Sequence, residues 1–177
     1  MTLTVGGNDL GFAALAGTCT TANTPEKQLQ CLAAIKDAVA VDRLLDLGTH
    51  LTGLYAQVAK EAPNALIVVT GYPYLFEFHP SNPIITAFNA ATAALNKTIE
   101  DAVKAAHDTP PGVNIIYVDV TDQFGGHGIG SSDDPFINGP TAGVPEAFHP
   151  NAAGYRAYAK AISAAIRDAL DRQEQLA

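Results

Sequence analysis

Hydrophobic positions along this chain follow two patterns. Three short stretches, Leu3 to Gly6, Ala65 to Thr70 and Val113 to Asp119, are apolar almost without interruption. A strand apolar on both faces is one covered by helices on each side, so these runs predict parallel strands. Elsewhere apolar residues recur at helical spacing. Thr24-Pro25-Glu26 supplies a cap, a proline at the first helical position and an acidic first turn, opening a helix through Leu32, Ile35 and Val39. Leu47, Leu51, Leu54, Tyr55 and Val58 mark a second helix, which Pro63-Asn64 stops before the next strand. Phe88, Leu95, Ile99 and Val103 mark a third, and Tyr155, Tyr158, Ile162, Ile166 and Leu170 a fourth at the C-terminus. All these stripes read as core. The segment from Leu10 to Thr24 gets no assignment.

Strands alternating with helices imply an α/β domain with a parallel sheet. The chain has 177 residues, which suits one domain spanning 1–177. With 47% hydrophobic and 16% charged residues it can build a core. The segment from Thr121 to Phe148 is glycine-rich and lacks periodicity, as functional loops do. A formal net charge of −8 argues against a nucleic-acid or anionic-membrane surface, since both want clustered Lys and Arg. The longest apolar run, Ala65 to Val69, is strand-sized, so no transmembrane segment is expected. The opening Met1-Thr2-Leu3-Thr4-Val5 has neither a basic region nor a cleavage site, so no signal peptide is visible. A bond between the two cysteines, Cys19 and Cys31, would close a loop worth up to ~3 kcal/mol. Two reduced thiols are the alternative.

Open parallel sheets place their sites at the carboxyl ends of strands, and two motifs fall at such places. Gly6-Gly7-Asn8-Asp9 follows the first strand: the glycines allow a sharp turn, and Asn8 presents a neutral amide donor of the kind an oxyanion hole needs. An ordinary strand-to-helix turn would look similar. Glu146-Ala147-Phe148-His149-Pro150-Asn151 precedes the last helix, and Pro150 suits a helix start. His149 there is a candidate general base, oriented by Glu146 or by a backbone carbonyl; the alternative is a solvated loop histidine.

Taken together, the two motifs resemble a family. Thr2-Leu3-Thr4-Val5-Gly6-Gly7-Asn8-Asp9 is similar to the third block of SGNH (GDSL-like) hydrolases, and Phe148-His149-Pro150-Asn151-Ala152-Ala153-Gly154-Tyr155 to the fifth. Val69 to Pro73, Phe124 to Gly130, Asp134 to Asn138 and the paired cysteines resemble the actinobacterial secreted branch. The resemblance implies a three-layer α/β/α sandwich and hydrolysis of carboxylic esters without a cofactor. It assigns Asn8 to the oxyanion hole and His149 to the general base. Glu146 stands where the family commonly has an Asp, three residues before the histidine; either it or a main-chain carbonyl orients the ring.

The chain departs from the pattern at its start, where five residues precede the Gly-Gly-Asn-Asp block and no Gly-Asp-Ser block is present. Ser81, Ser131, Ser132 and Ser163 do not follow a strand in a turn that aims a hydroxyl; Ser131 or Ser132 as a replacement nucleophile lacks that geometry. The family's first two strands would then be missing too. The strand at Leu3, which has no Lys, Pro or charge to protect it, would be an unpaired edge. The expectation is an N-terminally truncated, inactive form of a protein whose parent is extracellular or in the cell envelope and acts on a small-molecule or lipid ester. Two readings compete: a catalytically dead binder of acyl or glycan ligands, and a nucleotide-binding domain, which wants a Gly-x-Gly-x-x-Gly turn that is absent. His127 reads as a solvated loop residue or a site-entrance residue. His50, His79 and His107 are scattered, and no His-x-x-x-His or Cys-x-x-Cys spacing suggests a metal.

Overall fold

A computed structural model describes residues 1–109, 112–141 and 146–174. Its elements run β1 (Thr2–Leu3), α1 (Phe12–Thr20), α2 (Pro25–Ala38), α3 (Val41–Glu61), β2 (Ile67–Thr70), α4 (Pro83–Asp108), β3 (Ile115–Val118), α5 (Thr121–Phe124) and α6 (Ala152–Glu174). The three strands are parallel in the order β1-β2-β3, with Thr2 opposite Val68, Leu3 opposite Val69, and Ile67 to Thr70 opposite Ile115 to Val118. The fold class is therefore the α/β one expected. The expected first strand, Leu3 to Gly6, is displaced to Thr2–Leu3, because the chain leaves the sheet at Thr4 and turns at Gly6, whose φ is 113°.

Side chains of β2 alternate between two helical layers, as the pleat requires. Ile67 and Val69 pack with Leu47, Leu51 and Tyr55 of α3 and Leu95, Ile99 and Val103 of α4. Val68 faces the other way, onto Val118, Phe124 and the Ala157 and Ala161 of α6. Helices start where their caps dictate: the Thr24 hydroxyl accepts from Lys27 N, and Asn82 Oδ1 accepts from Ile84 N and Ile85 N. No helix among the described residues is long and apolar enough to cross a membrane.

The C-terminal helix corrects one expectation. Tyr155 and Leu170, read as core, are 61% and 51% exposed, whereas Ala157, Ala161 and Ala169 are buried. Ala157 and Ala161 pack with Val68 and Val118 of the sheet, so α6 meets it through small residues, and a Cβ on Gly154 would clash with the carbonyl oxygen of Phe136 in the loop before the helix. Tyr158, Ile162 and Ile166 of the same stripe pack partly buried against the Val68–Val118 cluster, as expected. Leu54 of α3 is likewise at the rim, 38% exposed.

The unassigned segment after Leu10 holds α1, whose run of Ala, Gly and Thr gives little periodicity to read. It packs with α2 and the front of α4 in a second apolar cluster containing Leu15, Cys19, Cys31, Ile35, Phe76 and Phe88. Cys19 and Cys31 are joined by a disulfide that fastens α1 to α2. Replacing both cysteines by alanine is expected to lower the unfolding free energy in urea by about 3 kcal/mol. An unchanged denaturation midpoint would show that the crosslink does not hold α1.

Burial pushes the phenols of Tyr55, Tyr72, Tyr117 and Tyr158 above the ordinary tyrosine value of 10.0. Charged phenolate is thus disfavoured in the fold relative to the unfolded chain. The associated stability is complete below pH 10 and lost as pH rises through the higher folded values. An alkaline titration should show the tyrosinate absorbance of these four arriving together with loss of circular dichroism, and not before it.

Candidate active site

Parallel pairing of β1 with β2 delivers Gly6-Gly7-Asn8 to the carboxyl edge of the sheet. Gly6 occupies the positive-φ region that only glycine enters freely. The turn then runs straight into α1: Gly11 N donates to Asn8 O at 3.0 Å and Phe12 N to Gly7 O at 3.0 Å. With its main chain committed in this way, Asn8 leaves its side chain exposed.

His149 is set by a tighter construction. Asn151 caps α6, its Oδ1 accepting from Ala153 N at 2.9 Å and Gly154 N at 3.1 Å. The helix therefore starts at Ala152, just beyond the expected Pro150. Asn151 also donates through Nδ2 to Pro135 O and through its main chain to Phe136 O, and Ile137 bridges Pro150. Asn138 clamps the preceding turn at three points: its N donates to His149 O at 2.9 Å, its O accepts from Phe148 N at 3.0 Å, and its Nδ2 reaches Glu146 O at 3.2 Å. Between these bonds Phe148 is held at φ 65°, a left-handed conformation a phenylalanine adopts only when its surroundings impose it.

The ring of His149 has its Nδ1 3.0 Å from the main-chain oxygen of Ala147. A carbonyl only accepts, so this bond requires the proton on Nδ1 and leaves the Nε2 lone pair free to act as a base. Glu146 meets this turn through its main-chain carbonyl, which accepts from His149 N at 3.1 Å, while its side chain is exposed.

Asn8 and His149 line one cleft of 470 Å³. Phe12, Leu75, Phe88 and Phe148 give it an apolar lining, together with Thr2 and Leu3 of β1, Thr4, and Tyr155, Tyr158 and Ile162 of α6. None of the described lining residues is Lys, Arg, Asp, Glu or Ser. Ser131 is committed to its own loop, bonding Gly126 O and Asp133 N, and Ser132 and Ser163 are exposed elsewhere. Ser81 and His79 border a separate cavity near Cys19. His127 stacks on Phe136 with Nδ1 on Asp134 O, and does not line the cleft. No cluster of three His, Cys, Asp or Glu that would hold a metal occurs among the described residues. Sequence reasoning did not single out Asn138 or Tyr72, which also lines the cleft. Both lie in stretches noted only for family likeness, and the partners that give them meaning are remote.

Residues 1–157 match the model of the GDSL-like lipase/acylhydrolase family. Lipase 1 of Streptomyces coelicolor is 32% identical over 161 residues, 87% of this chain and 55% of that protein. A lipase of Streptomyces rimosus is 33% identical over 156 residues, again 87% of this chain and 55% of its own length. Among solved structures, phospholipase A1 from Streptomyces albidoflavus superposes with a TM-score of 0.75 at 28% identity, covering 92% of this chain and 67% of that one. The extracellular lipase of Streptomyces rimosus gives 0.70 at 28%, covering 90% and 68%. The chain thus spans about half the length of the curated relatives it matches. With its Asn and His motifs on one cleft of a parallel α/β sheet, this chain belongs to the GDSL-like lipase/acylhydrolase family.

Proposed function

We propose that this chain supplies the general base and the oxyanion donor of a carboxylic ester hydrolase whose serine nucleophile comes from outside these 177 residues. The observation that carries the reading is the shared cleft of Asn8 and His149. A serine hydroxyl brought to that cleft attacks the ester carbonyl, and His149 Nε2 takes its proton. The carbonyl π electrons move onto oxygen, where the Asn8 amide donates to the negative charge. The tetrahedral intermediate collapses, the protonated His149 gives its proton to the departing alcohol, and water repeats the sequence on the acyl-enzyme. Throughout, Ala147 O holds the ring's Nδ1 proton, so the main-chain carbonyl, with Glu146 acting through its backbone, takes the orienting part usually given to an acid.

Two further observations support a missing partner segment. The β1 edge away from β2 has no strand beside it among the described residues, and Tyr155, Tyr158 and Ile162 line the same side. An apolar edge of this kind is normally covered. The apolar lining suits an acyl chain, so the substrate is a lipid ester or a small apolar ester, in the extracellular or cell-envelope setting of a secreted parent protein. The second reading, a catalytically dead binder of acyl or glycan ligands, draws on the lack of a described serine in the cleft.

Hydrolysis of p-nitrophenyl esters separates these readings. Activity is expected only when the chain is extended by the serine-bearing segment; an extended protein that binds but does not hydrolyse supports the second. In the active form His149→Ala should lower kcat by about 10²–10⁴-fold and Asn8→Ala by about 10²–10³-fold. Glu146→Gln should stay close to wild type. A loss matching that of His149→Ala would make the Glu146 carboxylate the orienting group after all.

A further inference from the structure

Asn96 sits on the buried face of α4, 8% exposed, where an amide with no partner would be costly. Its partner is a single residue. Asn96 Oδ1 accepts from Tyr72 N at 2.8 Å, and Nδ2 donates to Tyr72 O at 2.8 Å. Next to it, Gly71 N donates to Val118 O at 3.0 Å and Gly71 O accepts from the Tyr158 hydroxyl at 3.2 Å. Both polar main-chain groups of both residues are therefore committed. The packing around them is tight: a Cβ on Gly71 would lie 2.4 Å from Tyr117 Oη and 3.0 Å from Asn96 Oδ1. The end of β2 is a fixed point from which the Tyr72 side chain projects in one direction.

That direction is the turn carrying Asn8. Tyr72 Oη accepts from Gly7 N at 3.0 Å, across 65 positions of sequence. Its ring lies so close that a Cβ on Gly7 would come within 3.0 Å of Tyr72 Cζ. Gly7 is buried, so this phenol oxygen satisfies an amide that has little water to turn to. The bond also commits the Gly7 N–H, which removes it as an oxyanion donor and leaves the Asn8 side chain as the donor this turn presents.

We infer that Tyr72, clamped by Asn96, is the positioning residue that sets the Gly7–Asn8 turn and so aims the Asn8 amide into the cleft. The inference rests on the ester-hydrolase reading only for what Asn8 does there. Phenylalanine at 72 would fill nearly the same space but leave the Gly7 N–H without its acceptor. The Gly6–Gly7 peptide then regains a partner only by admitting water or rotating, and either one moves Asn8.

The test has two arms. In the 177-residue chain, amide exchange and NMR of Tyr72→Phe should show at least a tenfold loss of Gly7 protection and shifted Asn8 side-chain amide resonances, with Ile99 and Tyr117 amides unchanged. Unaltered Gly7 and Asn8 signals overturn the inference whatever the activity. In the serine-bearing protein, Tyr72→Phe should lower kcat about tenfold with KM unchanged, and cost nothing further in an Asn8→Ala background. A residue that only supports the fold would give additive losses, and additivity refutes the assignment. Failure of the wild-type serine-bearing protein to cleave any ester would sink the hydrolase reading alone, leaving the exchange arm to decide this one.

Discussion

Two residues of parallel pairing, Thr2 with Val68 and Leu3 with Val69, determine where everything else in the site can be. Because β1 runs parallel to β2, both strands end at the same rim, and the turns that follow them, Gly6 to Asn8 and Gly71 to Tyr72, emerge side by side. Only that adjacency lets a phenol from one reach an amide of the other. An antiparallel β1 would send Asn8 to the far end of the sheet, away from His149. The pairing is short, and the neighbouring contacts extend it: the Met1 amino group donates to Leu66 O, Val68 N donates to Met1 O, and the hydroxyls of Thr4 and Thr70 bond each other.

The histidine side of the cleft solves a different problem. His149 must be aimed from a loop, and loops are mobile unless their polar groups are tied down. Here the ties are two asparagine-centred sets of bonds, Asn138 across the 146–149 turn and Asn151 at the start of α6, while a third, Asn96 behind Tyr72, serves the Asn8 side. An asparagine side chain carries both a donor and an acceptor, so it can stand in for a stretch of backbone where no strand is available. The left-handed Phe148 is the cost of the tight turn, offset by the bonds on either side of it.

Much of this architecture was legible in the residues. The continuous apolar runs at Ala65 to Thr70 and Val113 to Asp119 mark β2 and β3, and the cap at Thr24 lies where α2 begins. What escaped has a common cause. The helix α1 is rich in Ala, Gly and Thr, with a weak pattern, and is defined by its contacts with α2 and the disulfide. Leu170 and Tyr155 stand at the two ends of the α6 stripe and are exposed, while Tyr158, Ile162 and Ile166 between them pack against the core, because spacing tells which residues share a face but not how far along it the contact runs. Ala157 and Ala161 won the inner position by allowing α6 to approach the sheet closely.

Residue identity alone determined the chemistry that is possible: an amide donor after a Gly-Gly turn, an imidazole at a helix entrance, and two cysteines 12 positions apart. These follow from side-chain properties and short-range spacing, which a linear pattern records in full. Tertiary structure alone decided which groups meet. It put the Nδ1 of His149 on Ala147 O, the Tyr72 hydroxyl on Gly7 N, and Asn8 and His149 on one cleft. Hydrogen bonds are satisfied over about 3 Å whatever the separation along the chain, so partners 65 positions apart leave no local trace in sequence.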